Sequence, residues 1–177
     1  YLLDKNNEIN YLLLNSFLKK YGKNKFFIFG FTSFIFENLI NKLSRKYCSD
    51  TFDNGILLHG GGWKKMEKIK INNKEFKKKL YKKLKLRDIY NYYGLVEQTG
   101  SIFVECKYCH CFVTSNFSEI LIRDINFNVL KSGKKGFIQL FSLLPRSYPG
   151  HSIITDDIGE IVDNKSCKCS LKGTRFI

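Results

Sequence analysis

Three short stretches of the chain carry residues suited to binding a nucleotide and a metal ion. The central one combines Tyr93, Gly94 and Glu97, and it follows an aromatic run over residues 89–92 that is typical of a β-strand. Tyrosine can stack on a planar base, glycine lets a ligand approach the backbone, and a carboxylate can hold Mg²⁺. Because open α/β sheets bind ligands at the carboxyl ends of strands, this pattern predicts a nucleotide corner. The alternative interpretation is a strand–turn–strand with a surface glutamate.

Two further stretches flank this corner in sequence. Upstream, a short apolar run ends in a glycine turn that consists of Gly60, Gly61 and Gly62. Glycines permit a positive φ and bring backbone amides close to a ligand. Downstream, Asp157 lies in the sequence Thr-Asp-Asp-Ile-Gly. The glycine turn is alternatively a plain loop. The interpretation as a nucleotide site therefore depends on the order of all three stretches.

The order of these stretches resembles the adenylate-forming superfamily of acyl-CoA synthetases and related ligases. Within it, His-Gly-Gly-Gly-Trp-Lys-Lys (residues 59–65) with Tyr-Gly-Leu-Val-Glu-Gln-Thr-Gly-Ser (residues 93–101) is similar to the acyl-protein synthetase family. That family comprises the long-chain-fatty-acid–luciferin-component ligase of bacterial bioluminescence and its non-luminous relatives. The resemblance extends over most of residues 26–176. Val96 stands where the wider superfamily usually has threonine, and the acyl-protein synthetase branch shares the valine.

The resemblance implies a role for each of these residues. The glycine turn would line the adenine pocket, with Trp63 either over the nucleotide or buried in the core. Tyr93, next to Gly94, would stack on adenine. Glu97 would be the catalytic residue that holds Mg²⁺ against the phosphates. Asp157 would accept bonds from both ribose hydroxyls, which requires a carboxylate on a rigid turn that Gly159 helps to form.

The resemblance also implies a reaction with ATP and Mg²⁺ as cofactors. A long-chain fatty acid would be activated as an acyl-adenylate, and the acyl group would pass to a protein thiol that feeds a fatty-acid reductase. The partners would be the fatty acid and an acyl-accepting protein or acyl reductase. Acyl chain length, acceptor protein and a luminous or non-luminous pathway stay open at this point.

The cysteines point to a separate metal site. Five of the six fall in two clusters, one with Cys106, Cys109 and Cys111 and one with Cys167 and Cys169. Clustered cysteines in an apparently cytosolic α/β chain indicate a metal rather than disulfides. Short-spaced cysteines on two loops suit a tetrahedral structural Zn²⁺ site, and His110 competes with Cys109 and Cys111 for the fourth position. The alternative interpretation is unligated buried thiols.

The elements that must position these residues alternate between strands and helices in the first half of the chain. The predicted elements are helices over residues 1–20, 34–46 and 75–84 and strands over residues 26–29, 56–59 and 88–92. This order predicts a parallel sheet with right-handed crossovers. After Gly100, short β segments predict a smaller, mostly antiparallel portion. The fold class is α/β, with a sheet part over residues 1–99 and a β-rich part over residues 100–177.

The charge of the chain restricts its partners only loosely. The formal net charge is +14, and the segment from Lys64 to Arg87 holds twelve Lys or Arg and two Glu. Such a segment suits nucleic acid or anionic surfaces, but a solvated lysine face is the preferred interpretation, and no nucleic acid is expected. The alternatives are a zinc-stabilised basic nucleic-acid-binding module and a non-catalytic subunit of a reductase complex. No apolar run reaches the roughly 18 residues of a membrane helix, and a cytoplasmic location is expected.

We interpret the chain as a fragment of the large domain of an adenylate-forming enzyme. Its 177 residues correspond to one domain or part of one. By the resemblance, a Ser/Thr/Gly-rich phosphate loop would precede Tyr1. A Gly-Arg hinge and a mobile domain with an acyl-accepting cysteine would follow Ile177.

Overall fold

The chain folds into two units, Tyr1–Asn91 and Tyr92–Ile177. The computed structural model describes residues 1–48, 50–63, 71–98, 100–146, 150–163 and 167–177. The first part of the predicted basic segment, residues 64–70, therefore lies outside the described residues.

The first unit combines a sheet with helices. Its elements are α1 (Tyr11–Tyr21), β1 (Phe26–Phe31), α2 (Thr32–Ile35) with a π-helical continuation (Phe36–Lys42), 3₁₀ turns (Arg45–Tyr47 and Asp50–Phe52), β2 (Gly55–Gly60), α3 (Asn73–Leu84) and most of β3 (Asp88–Tyr93). Strands β1 and β2 are parallel, with Phe26 opposite Gly55 and Phe31 opposite Gly60, and β3 follows β2 in the sheet. The predicted parallel pairing is confirmed for β1 and β2.

Asparagine side chains set the start of two helices. The Oδ1 atom of Asn10 accepts the amide of Leu13 at 3.0 Å, and that of Asn72 accepts the amide of Glu75 at 2.9 Å. Such caps satisfy amides that have no partner inside the helix. The predicted helix over residues 1–20 was too long for this reason, because α1 begins only after Asn10.

Helix α2 differs from the prediction of one regular helix over residues 34–46. It begins at Thr32 and becomes π-helical after Ile35, and the amide of Leu43 donates to Asn38 O at 2.8 Å, five residues back. Ser33 is buried within the first turn, and the N-cap residue, Phe31, makes no side-chain bond. Thr32 anchors the turn instead, because its hydroxyl donates to Gly60 O at 3.1 Å.

The core of the first unit lies on one face of its sheet. Leu57, Leu80 and Leu84 are fully buried, while Phe27 and Phe29 on β1 are about 60% exposed. Side chains alternate along a strand, and α2 packs on β1 and β2 from one side. Strand β1 is therefore more buried on one face than on the other.

The second unit is built from short strands. Its elements are the end of β3, a 3₁₀ turn (Val96–Gln98), β4 (Phe103–Glu105), β5 (Phe112–Val113), β6 (Ser118–Arg123), β7 (Lys135–Ser142), β8 (Ser152–Glu160) and β9 (Arg175–Phe176). The antiparallel order is β3–β4–β5–β9, and β6–β7–β8 form a separate antiparallel sheet. The predicted mostly antiparallel β portion is confirmed, and the fold class is α/β.

The core of the second unit is separate from that of the first. Phe103, Phe176 and Leu140 are almost completely buried in it. Among the described residues, the helices are too short or too polar to cross a membrane.

Candidate nucleotide corner and cysteine cluster

The predicted corner begins at the last residue of β3. Tyr93 pairs with Phe103 across β3 and β4, and the exposed Glu97 lies in the 3₁₀ turn that follows. A Cβ on Gly94 would lie 3.0 Å from the carbonyl oxygen of Ser101. The close approach of two backbone segments therefore requires a small residue at this position even without a ligand.

Tyr93 and Asp157 meet although 64 residues separate them. The tyrosine hydroxyl donates to Asp157 Oδ2 at 2.7 Å. Partial burial, followed by the hydrogen bond to Asp157, raises the pKa of Tyr93 well above its usual value. The phenol therefore stays protonated near neutral pH and remains the donor.

The Tyr93 ring is fixed by other aromatic side chains. Its centroid lies 5.9–6.3 Å from those of Phe103, Phe112 and Phe176. Such contacts restrict the side chain to one direction, because aromatic rings pack at preferred separations. The hydroxyl therefore reaches Asp157 from a ring that the core of the second unit holds in place.

Asp157 lies on an irregularity of strand β8. Ile158 is opposite Phe137 and Ile154 is opposite Gln139, so residues 155–157 together face Ile138. The Thr155 hydroxyl donates to Ile138 O at 3.1 Å and accepts the amide of Asp157 at 3.2 Å. A bulge of this kind changes the direction of a side chain and exposes it.

The sequence predicted a rigid turn around Asp157, and the structure places the residue within a strand instead. Gly159 is paired with Gly136 in the strand ladder, and a Cβ on it would lie 2.7 Å from Ile138 Cδ1. Gly159 is therefore required for close packing beside the bulge, whereas the Thr155 bonds define the bulge itself.

Sequence reasoning missed Gln98. This fully buried side chain donates through Nε2 to Gly150 O at 2.9 Å and to Leu140 O at 3.4 Å. Next to it, the hydroxyls of Ser101 and Ser142 bond at 2.7 Å. These contacts fasten the turn that carries Glu97 to β7 and to the residues before β8. In the sequence, Gln98 is recognisable only as a glutamine next to Glu97. That position does not indicate whether the glutamine is exposed or buried.

The glycine turn belongs to the first unit. Gly60 ends β2 and is buried, whereas Gly61 and Gly62 are exposed. Gly61 has φ of +75°, a conformation that favours glycine, and a Cβ there would lie 3.1 Å from the Phe31 ring. The turn therefore has the exposed glycine backbone that the motif predicted, while Lys64 and Lys65 lie outside the described residues.

His59 and Trp63, on either side of this turn, are buried. His59 Nδ1 lies 3.0 Å from Thr32 Oγ1, and its ring packs 4.6 Å from that of Phe76. The Trp63 ring packs at 5.1 Å from Phe36 and at 6.2 Å from Phe76. The buried structural role is thus the better interpretation for both residues.

The cysteine clusters converge in the second unit. The Sγ atoms of Cys106, Cys167 and Cys169 all lie within 4.8 Å of one another. The Cys106–Cys167 distance is 3.7 Å and the Cys167–Cys169 distance is 3.2 Å. A disulfide requires about 2.05 Å, so these sulfurs are unbonded. The loop with Cys109 folds back on itself through backbone bonds from Cys106 N–H to Cys111 O and from His110 N–H to Cys106 O.

The electrostatics of the cluster differ from one sulfur to the next. The Arg175 guanidinium donates to Cys169 Sγ at 3.4 Å, and this bond is the main reason why the pKa of Cys169 falls to about 6. At Cys167 the amide of Cys169 lowers the pKa, but the neighbouring sulfurs and burial together raise it to about 11. Burial is the main cause of the raised pKa of Cys109 and of Cys111.

The same fold occurs in solved structures of adenylate-forming enzymes. ATP-bound MatB from Rhodopseudomonas palustris aligns with a TM-score of 0.62 at 12% identity, covering 94% of this chain and 32% of that one. The luciferase-like enzyme from the nonluminescent Zophobas morio mealworm aligns with a TM-score of 0.56 at 18% identity, covering 88% and 38%. The N-terminal subdomain of Klebsiella oxytoca NpsA, in complex with 3-hydroxyanthranilyl-AMSN, gives 0.55 at 14%, covering 89% and 42%.

The family of the chain follows from its sequence. Residues 3–177 match the acyl-protein synthetase, LuxE, family, and the chain belongs to it. The resemblance identified from the motifs is confirmed. Comparison with curated proteins gives no match. The chain spans about a third of the length of the solved structures it matches.

Proposed function

We propose that the protein activates a long-chain fatty acid with ATP as an acyl-adenylate and transfers the acyl group to a protein thiol that feeds a fatty-acid reductase. Membership of the acyl-protein synthetase family supports the reaction class. The observation that carries the proposal for this chain is the Tyr93–Asp157 hydrogen bond. It unites two residues of separate nucleotide motifs on the surface of one unit.

Asp157 is suited to holding the ribose of ATP. A carboxylate offers about four acceptor positions, and the Tyr93 hydroxyl uses one of them. The bulge exposes the side chain, and the Thr155 bonds restrict its backbone. Two ribose hydroxyls can therefore donate to the remaining positions without displacing Tyr93.

Glu97 is suited to a magnesium ion bound with the phosphates. Its exposed carboxylate is an oxygen ligand, which Mg²⁺ prefers, and one or two carboxylates are the usual protein contribution to such sites. The ion would stabilise negative charge as the fatty carboxylate attacks the α-phosphorus and the bond to pyrophosphate breaks. The role of this chain is to hold Glu97 in position, and the buried Gln98 provides that support.

The basic face of α3 is less consistent with a nucleic-acid module. Lys83 donates to the carbonyl oxygens of Ile40 and Leu43 at 2.7 and 2.9 Å, and Lys79 lies 3.9 Å from Glu75. Some of these cations thus stabilise the unit itself. The exposed carboxylates Glu97 and Asp157 would in addition repel nucleic-acid phosphates in the absence of a cation.

The test is ATP–pyrophosphate exchange by the full-length protein with fatty acids of different length, followed by acylation with labelled fatty acid. We expect exchange that depends on fatty acid and Mg²⁺, and a protein-bound label that neutral hydroxylamine releases as expected of a thioester. A folded protein that gives no exchange with any fatty acid would favour the non-catalytic subunit. Exchange without a thioester would leave adenylation in place and exclude transfer to a protein thiol.

A further inference from the structure

The distances between the cysteine sulfurs match a metal site. A tetrahedral Zn²⁺ with Zn–S bonds of about 2.3 Å places its sulfurs about 3.8 Å apart. Cys106 and Cys167 are already 3.7 Å apart, and Cys169 joins them within 4.8 Å. Three sulfurs from two chain segments therefore lie around one point, and Cys109 lies in the loop that folds back over Cys106.

Hydrogen-bond donors lie next to this cluster. The Cys106 sulfur accepts the amide N–H of Tyr108 at 3.4 Å. Amide donors stabilise negative charge on sulfur, and they orient thiolates that ligate a metal. Arg175 adds a cation next to Cys169. An amide and a guanidinium group thus stabilise negative charge on two sulfurs of the cluster.

The two rivals for the fourth position are held elsewhere. Cys111 Sγ donates to Cys109 O at 3.5 Å. His110 is 62% exposed, and its Nδ1 lies 2.9 Å from Glu105 Oε1. Both side chains therefore have partners other than the three converging sulfurs.

We infer that Cys106, Cys109, Cys167 and Cys169 form a tetrathiolate site for a structural Zn²⁺ from which Cys111 and His110 are excluded. Four sulfur donors in tetrahedral arrangement suit Zn²⁺, and four protein ligands leave no position for a substrate. The ion joins the β4–β5 turn to the segment before β9. Strand β9 has only two residues and carries the buried Phe176, so the metal holds in place a strand that its own ladder supports weakly. The inference is independent of the proposed adenylation.

Metal content and ligand identity are tested together on the full-length protein purified under reducing conditions. We expect one zinc per chain by elemental analysis. Cys109→Ser is expected to weaken zinc binding about 100-fold or more in competition with a chromogenic chelator, since even changes outside the ligand shell cost 10–100-fold. Cys111→Ser, two residues away in the same loop, is the matched control and is expected to retain the affinity of the wild type.

A second measurement keeps the inference testable if Cys109→Ser does not fold. Co²⁺ substituted into the wild-type protein is expected to give the intense sulfur-to-metal charge-transfer absorption of four thiolates. A spectrum of three thiolates and one nitrogen would assign His110 instead. A folded wild-type protein with almost no zinc and six freely titrating thiols would overturn the site, and loss of zinc from Cys111→Ser alone would overturn the ligand set.

Discussion

At the scale of single residues, the proposed chemistry depends on carboxylates that differ in their support. Asp157 is oriented by a hydroxyl from Tyr93 and by the Thr155 bonds of its bulge. Glu97 is exposed, and its position depends on the residue beside it, Gln98. The carboxylate of Asp157 is thus held in one orientation, as the proposed contact with neutral ribose hydroxyls requires. The carboxylate of Glu97 is exposed, as the proposed contact with Mg²⁺ requires.

Glu97→Gln in the full-length protein is expected to lower the rate of fatty-acid-dependent pyrophosphate exchange by about 100-fold or more, because charge stabilisation in the transition state is lost. Folding is expected to be unchanged, since the side chain is exposed. The control is Asp156→Asn, which removes another exposed carboxylate of the second unit. Exchange within a few-fold of the wild type would remove Glu97 from the metal site.

Asp157→Ala is expected to weaken ATP binding by about 1.5–3 kcal/mol for each charge-assisted bond lost. Calorimetric titration of the full-length protein with ATP measures this change. Tyr93→Phe keeps the carboxylate but removes its donor, so a smaller loss is expected from this variant. Equal affinity of Asp157→Ala and wild type would contradict the ribose assignment.

At the scale of elements, one short 3₁₀ turn determines the position of Glu97. The buried side-chain amide of Gln98 connects the 3₁₀ turn Val96–Gln98 to the carbonyl oxygens of Leu140 and Gly150. Gly94 allows the chain to pass close to Ser101 at the start of the same turn. The position of Glu97 therefore depends on contacts made by its neighbours.

Gln98→Ala is expected to lower the free energy of unfolding by about 1–3 kcal/mol, since two buried carbonyl oxygens lose their donor. Denaturant titration measures this effect. A positioning role predicts more than lost stability: the rate of exchange at saturating ATP should also fall under conditions where the protein stays folded. Gln98→Glu, of similar shape, is expected to be worse than alanine because it buries a charge. Normal exchange in folded Gln98→Ala would restrict Gln98 to a structural role.

At the scale of the whole molecule, the two units carry different parts of the predicted site. The first holds the glycine turn with its buried neighbours His59 and Trp63. The second holds the corner, the exposed Asp157 and the cysteine cluster. Loss of the proposed zinc ion is therefore expected to destabilise the second unit first.

Removal of zinc with a chelator under reducing conditions is expected to lower the melting temperature by several degrees, because binding energy contributes to folding. Re-addition of Zn²⁺ should restore it, and Cys167→Ser should neither bind zinc nor respond to the chelator. Cys48→Ser, which changes a thiol of the first unit, is the control and should respond like the wild type. A melting temperature unaffected by chelation of a zinc-containing protein would contradict the structural role.

The sequence alone determined the family, the order of strands and helices, and the identity of the motif residues. These follow from local rules: apolar periodicity sets strands and helices, and motif spacing is a property of a few adjacent residues. The start of α1 and the π-helical part of α2 were not predicted, because a cap and a five-residue hydrogen bond decide them.

Tertiary structure alone decided which distant residues meet. The Tyr93–Asp157 bond spans 64 residues and depends on the bulge in β8, which shifts the direction of a side chain without any local sequence signal. The role of Gln98 depends on its burial and on its hydrogen bonds to the carbonyl oxygens of Leu140 in β7 and of Gly150. Cys109 and Cys111 are equivalent by spacing, and only the folded chain shows that the Cys111 sulfur donates to the carbonyl oxygen of Cys109. Strand register and hydrogen bonds between distant residues are properties of the folded chain, and the motifs alone do not contain them.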